Sequence, residues 1–150
     1  MSSNEGVMQQ TLFHLAFPVS NLEQTREFYV DGLGCEPGRE GGRSLILNLY
    51  GHQIVAQVTQ EPLTPQKGIY PRHFGLVFTT EAGWEALLER AQLKGLKFHQ
   101  QPKRRFIDSP LEHCTFFLED PFYNLLEFKF YCHPSAIFGE EAFAQVGDPV

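Results

Sequence analysis

Leu12-Phe13-His14-Leu15-Ala16-Phe17 and Arg72-His73-Phe74-Gly75-Leu76-Val77-Phe78 carry one pattern twice: histidine, large apolar, small, large apolar. The histidines stand at positions 14 and 73, 59 apart. Similarity at a fixed spacing marks a duplicated structural unit. Each copy reads as an apolar strand, and a helix follows each. The first helix opens on Ser20-x-x-Glu23, a capping box in which two side chains satisfy orphan amides. Leu22, Thr25, Phe28 and Tyr29 then recur at helical spacing until Gly32 and Gly34 stop it. The second helix starts near Thr80 and carries Trp84, Leu87, Leu88 and Ala91 at i, i+3, i+4 and i+7, ending at Gly95. A helix with one apolar face must lie on another layer, here a sheet.

Working outward, Arg43 to Tyr50 and His52 to Thr59 read as a hairpin around Gly51, with a shorter strand at Cys35 to Arg39. In the second half, Leu96 to Gln100, His113 to Leu118 and Leu125 to Tyr131 fill the same slots. Lys103, Arg104 and Arg105 fall in a long loop between the sixth and seventh strands. The expected fold is α+β: two βαβββ modules, residues 11–60 and 71–132, whose mixed sheets curve into one cleft. Pro62, Pro65 and Gly68 make 61–70 the linker. Residues 1–10 form a disordered lead-in and 133–150 a tail.

Composition removes several classes of function. With 150 residues and 42% hydrophobic content, the chain can build a core. A net charge of −6 argues against nucleic acid, which needs a basic surface to displace counterions. No apolar run reaches the roughly 18 residues of a membrane span. The polar start, Met1 to Gln10, lacks the regions of a signal peptide, so a soluble, cytoplasmic protein is expected. Cys35, Cys114 and Cys132 are odd in number and lack paired spacing, so buried free thiols are expected rather than disulfides.

Strand alternation then sorts the polar residues. Phe13, Leu15 and Phe17 face the helix, as do Phe74, Leu76 and Phe78, and Leu126, Phe128 and Phe130. His14, His73 and Glu127 take the other face. Burying an imidazole or a carboxylate there without a partner costs several kcal/mol on the usual scale for polar and charged groups. One shared cation removes that cost. Two imidazoles and a carboxylate make the facial triad suited to non-haem Fe(II), and Zn, Ni and Mn accept the same ligands. Phe117 falls on the same face as a candidate lining of a substrate pocket, and Lys129 and Tyr131 lie near its exit. His52 falls on the helix side, and His99 and His133 at the surface.

The stretches Phe13-His14-Leu15-Ala16-Phe17-Pro18-Val19, Phe28-Tyr29-x-x-x-Leu33-Gly34 and Phe117-Leu118-Glu119-Asp120-Pro121-Phe122-Tyr123-Asn124-Leu125-Leu126-Glu127-Phe128 resemble the vicinal oxygen chelate superfamily over residues 11–131. That group holds glyoxalase I, extradiol dioxygenases, fosfomycin-resistance enzymes and bleomycin-binding proteins. Tyr123 stands where its Asp-Pro-x-Gly-Asn motif has glycine. The resemblance maps the family's metal ligands onto His14, His73 and Glu127. It makes Gln57 the occupant of a fourth-ligand slot that some members use. His113 is either an acid–base catalytic group beside the metal, as in similar dioxygenases, or a strand-end histidine in contact with water. The resemblance implies a small-molecule substrate and a homodimer. The first functional reading is an Fe(II) extradiol-type dioxygenase. The alternatives are a glyoxalase I-like isomerase or lyase and a non-catalytic bleomycin-type binding protein.

Overall fold

The computed structural model describes residues 10–146. The expected lead-in, residues 1–10, lies outside the described residues but for Gln10. The chain divides into two compact units between Thr64 and Pro65.

In the first unit, β1 (His14–Val19) leads into α1 (Leu22–Thr25), which continues as a wider π-helical run, Arg26–Gly32. Then come β2 (Glu36–Glu40), β3 (Ser44–Leu49) and β4 (His52–Val58). The sheet order is β1-β4-β3-β2, with β1 parallel to β4 and the other pairs antiparallel. Alternation buries Phe17 and Val19 of β1 with Leu45, Leu47 and Ile54, beneath Tyr29 of the helical run. Phe17 and Tyr29 meet with ring centroids 5.1 Å apart.

The second unit repeats the plan: β5 (Phe74–Phe78), α2 (Glu81–Leu93), β6 (Phe98–Arg105), β7 (His113–Glu119) and β8 (Leu125–Tyr131), in the order β5-β8-β7-β6. Again the first strand runs parallel to the last and the rest are antiparallel. Thr80 caps α2 by accepting from the Gly83 amide, and Gly95 ends it at φ +67°. Trp84 Nε1 donates to the Phe128 carbonyl at 2.8 Å, fastening α2 to β8. A short 3₁₀ turn, Pro134–Ala136, follows. Among the described residues no helix is long and apolar enough to cross a membrane.

Four expectations change. The first helix is capped by Asn21, not Ser20: Asn21 Oδ1 accepts from the Gln24 amide at 2.8 Å, and its Nδ2 donates to Gln24 Oε1 at 2.6 Å. The box is displaced by one residue because Asn21 is the position with extended backbone. Phe13 is exposed rather than packed on a helix, because β1 begins after it. Lys103, Arg104 and Arg105 lie in β6, opposite Thr115, Cys114 and His113, and not in a loop. An edge strand rich in charge resists pairing with other chains, and its register shifts accommodate Pro102. Finally, Cys35 and Cys114 are buried and form no disulfide, but Cys132 is half-buried and accepts a hydrogen bond from Arg104 Nη1 at 2.9 Å.

Candidate metal centre

The β7–β8 register sets His113 opposite Tyr131, Thr115 opposite Lys129, and Phe117 opposite Glu127. Because strand side chains alternate, these six share one face of the sheet. Cys114, Phe116 and Phe128 take the other face, where Phe116 lies 5.6 Å from the Trp84 ring of α2. Gly75 of β5 lies opposite Glu127. A Cβ at residue 75 would stand 1.7 Å from the Glu127 carbonyl oxygen, so only glycine lets β5 approach β8 here. That approach brings His73, one residue before β5, to Glu127.

His73 Nδ1 lies 2.7 Å from the Ile69 carbonyl oxygen. A carbonyl only accepts, so Nδ1 carries the hydrogen. In the neutral imidazole the Nε2 lone pair then points at Glu127 Oε1, 3.1 Å away. Two lone pairs facing each other repel unless a proton or a metal cation lies between them. Thr115 Oγ1 donates to the other carboxylate oxygen at 2.6 Å, and Lys129 Nζ lies 3.8 Å from Oε1. The hydrogen bond to Glu127 raises the His73 pKa against the effect of burial. Burial pushes Glu127 upward, but its bond to His73, the Lys129 charge and Thr115 outweigh this and hold the carboxylate below its ordinary range.

Phe117, 1% exposed, sits edge-on to the His73 ring at 5.0 Å and packs with Ile69 and Leu125. It braces the imidazole. His113 is buried, with Nδ1 3.0 Å from the Leu111 carbonyl and its ring 5.1 Å from Tyr131. Burial lowers its pKa, and the charges of Lys129 and Arg105 push the same way. Burial thus favours the neutral imidazole, in which the Nδ1 hydrogen faces Leu111 and the lone pair falls on Nε2. Lys129 lies over the Tyr131 ring at 5.1 Å.

In the first unit His14 is exposed, and its Nδ1 lies 2.6 Å from Gln53 Oε1. Gln57 is exposed further along β4, opposite Pro18 and Ser44. The position matching Glu127 is Val55, since Ala16 pairs with Val55 as Gly75 pairs with Glu127. His52 ties strand starts together: its Nδ1 accepts from the Phe13 amide at 3.1 Å.

His73 and Glu127 fit a metal. Ligand atoms about 2.1 Å from a shared ion and at right angles to one another stand about 3.0 Å apart, close to the 3.1 Å observed. The Ile69 carbonyl and Thr115 hydroxyl orient the two donors as outer partners of metal ligands do. Among the described residues no three His, Cys, Asp or Glu side chains gather to hold an ion, so this pair needs a further ligand. Sequence reasoning missed the Ile69 carbonyl, the fit of Gly75 against β8 and the Gln53 partner of His14. A small residue two places after a strand histidine was the available signal for Gly75. A backbone carbonyl leaves none.

Two βαβββ modules, each with its first strand parallel to its last, define the class of fold. The family model described as the Glyoxalase/Bleomycin resistance protein/Dioxygenase superfamily matches residues 11–128, and the chain belongs to that superfamily. Among solved structures, a glyoxalase/bleomycin resistance protein/dioxygenase from Alicyclobacillus acidocaldarius is 34% identical, covering 92% of this chain and all of that one, with a TM-score of 0.81. An integron cassette protein from the mobile metagenome of the Halifax Harbour sewage outfall is 26% identical over 81% of this chain and 99% of that one, with a TM-score of 0.62. The fosfomycin resistance protein FosX from Listeria monocytogenes shares the fold at 15% identity, covering 86% and 99% of the two chains with a TM-score of 0.64. No curated protein matches.

Proposed function

We propose that the protein is a metal-dependent enzyme of this superfamily, in which His73 and Glu127 of the second module and His14 of the first hold one divalent metal, Fe(II) foremost. The observation that carries this reading is the His73–Glu127 pair, with an imidazole lone pair aimed at a buried carboxylate oxygen. His14 joins on the strength of the duplicated pattern, from the same chain or from a second copy in a homodimer. Gln57, on the same face of β4, is the proposed fourth position. The favoured reaction is extradiol-type ring cleavage of a small molecule with two adjacent oxygens. As Fe(II), the ion supplies the Lewis acidity and redox capacity for dioxygen chemistry that side chains lack.

The chain's own residues do the rest. Thr115 and the Ile69 carbonyl keep Glu127 and His73 in one rotamer each. Phe117 keeps water from the back of the imidazole. Neutral His113 accepts a proton at Nε2 from a substrate hydroxyl as a general base. Lys129 attracts the oxyanion so formed, and Tyr131 offers an aromatic wall.

The test combines elemental analysis with oxygen uptake. The protein loaded with Fe(II) consumes dioxygen with catechol, and Glu127→Ala is purified without metal. Unchanged metal content in Glu127→Ala would sink the site. Iron-loaded protein that binds catechol without oxygen uptake would sink the dioxygenase assignment, and turnover of a glutathione hemithioacetal would replace it with glyoxalase-type chemistry.

A further inference from the structure

Beside Lys129 the second unit holds a cavity of about 400 Å³. Its inner wall is the sheet face described above, from His113, Lys129 and Tyr131, together with Phe106. Its outer wall is the segment that follows β8, including Ile137 and Phe143. That segment is shaped by its own bonds. The Ile137 amide donates to the Pro134 carbonyl at 3.1 Å, the Gly139 amide to the Ser135 carbonyl at 2.8 Å, and the Phe143 amide to the Glu140 carbonyl at 3.0 Å. Ser135 Oγ donates to Glu140 Oε2 at 2.5 Å.

We propose that residues 136–146 are the outer wall of the substrate pocket, and that this pocket takes a single-ring aromatic compound bearing an anionic oxygen group. The proposal rests on the reading of the β7–β8 face as the substrate side. Three observations support it. The volume lies at the small end of the range for ligand pockets, enough for one ring with substituents. Five aromatic rings, of Phe106, His113, Tyr131, Phe138 and Phe143, line it, and aromatic surfaces favour flat ligands. The charges are asymmetric: Lys129 stands on the sheet wall, while Glu140 and Glu141 stand on the outer wall. An anionic group is therefore drawn to the Lys129 side, beside His113 and away from Glu140 and Glu141, and the ring lies outward against Ile137 and Phe143.

Benzoate and its neutral isostere benzamide are the probes, titrated by NMR into the full chain after metal removal by chelator. Benzoate moves the resonances of His113, Tyr131 and Ile137, and benzamide binds at least about tenfold more weakly, as expected when a charge-assisted contact is lost. Lys129→Met brings benzoate down to the benzamide level. The full-length double variant Ile137→Ala/Phe143→Ala admits 2-naphthoate, which the parent protein excludes. Equal binding of benzoate and benzamide, shifts that miss the cavity, or equal 2-naphthoate binding by parent and double variant would overturn the proposal. Metal content, measured separately, tells its failure from failure of the metal site: benzoate binding needs no metal, and a metal-free benzoate binder would leave the pocket standing.

Discussion

The two modules share a strand plan and differ at the residue pair that follows each histidine. Where Gly75 faces Glu127 in the second, Ala16 faces Val55 in the first. The histidine of the first module is exposed and meets a neutral amide, while that of the second meets a buried carboxylate. Duplication thus conserves the backbone cheaply, since apolar alternation alone specifies it. The charge sits in one copy, because each buried carboxylate needs its own donors. The glycine belongs to the same specialisation: the close approach that brings His73 to Glu127 leaves no room for a methyl group.

Breaking that approach has the largest expected effect. Gly75→Ala drives a Cβ into the Glu127 carbonyl, and the strands must separate. The second module loses about 3 kcal/mol or more, beyond the usual cost of overpacking. Ala16→Gly, at the matched position, costs only about 0.5–1 kcal/mol through chain entropy. Urea denaturation of the two variants checks this, and equal losses would mean that the modules do not differ in this contact.

Next comes the support of the acid. Thr115→Val keeps shape and removes the donor at 2.6 Å from Glu127. Metal affinity falls by about 10–100-fold, the usual cost of losing an outer partner. Gln53→Ala, which strips His14 of its partner, costs less, because an exposed imidazole can use water instead. Competition with a chromophoric chelator measures both.

Most of this comparison was legible in the sequence. A histidine at or just before the start of each matched strand, and an acid in the last strand beside the second histidine, follow from apolar alternation. Other features were out of reach for definite reasons. The β6 edge strand contains Pro102 and a basic run, which read as loop because edge strands tolerate what central strands reject. The orienting partner of His73 is a main-chain carbonyl, and main-chain groups carry no residue signature. The wall made by residues 136–146 joins positions that no periodicity links to β7.

Histidines on one face also titrate in opposite directions. In the metal-free protein the His73 pKa is raised, so its stabilising contribution is complete below the ordinary value of about 6.5 and is lost as pH rises through the folded value. The pKa of His113 is lowered by burial, so the unfolded chain takes the proton first. Its contribution is present above about 6.5 and is lost as pH falls through the folded value. Stability profiles of His73→Asn and His113→Asn should therefore flatten on opposite sides of about 6.5. The same side flattening in both would contradict the assignment.

The smallest effect concerns the two hairpin turns that carry the parallel-paired strands. Between β3 and β4, Tyr50 and Gly51 take φ values of +52° and +93°, and Asn48 Oδ1 accepts from the Gly51 amide at 2.7 Å. Between β7 and β8, Asp120 Oδ1 accepts from the amides of Phe122 and Asn124, both at 2.8 Å, so the loop keeps its shape although Tyr123 sits at φ +70°. A non-glycine residue in that left-handed region costs about 1–2 kcal/mol. The Asp120 network therefore holds a turn that glycine would adopt freely, and Glu127 stays in register. Tyr123 is 42% exposed, so little packing is lost on its removal. Tyr123→Gly should stabilise the second module by about 0.5–1 kcal/mol, the relief of strain less the entropy of a freer unfolded chain. Thermal denaturation reads this directly. A lower Tm would show that the tyrosine ring does more for the turn than its exposure allows.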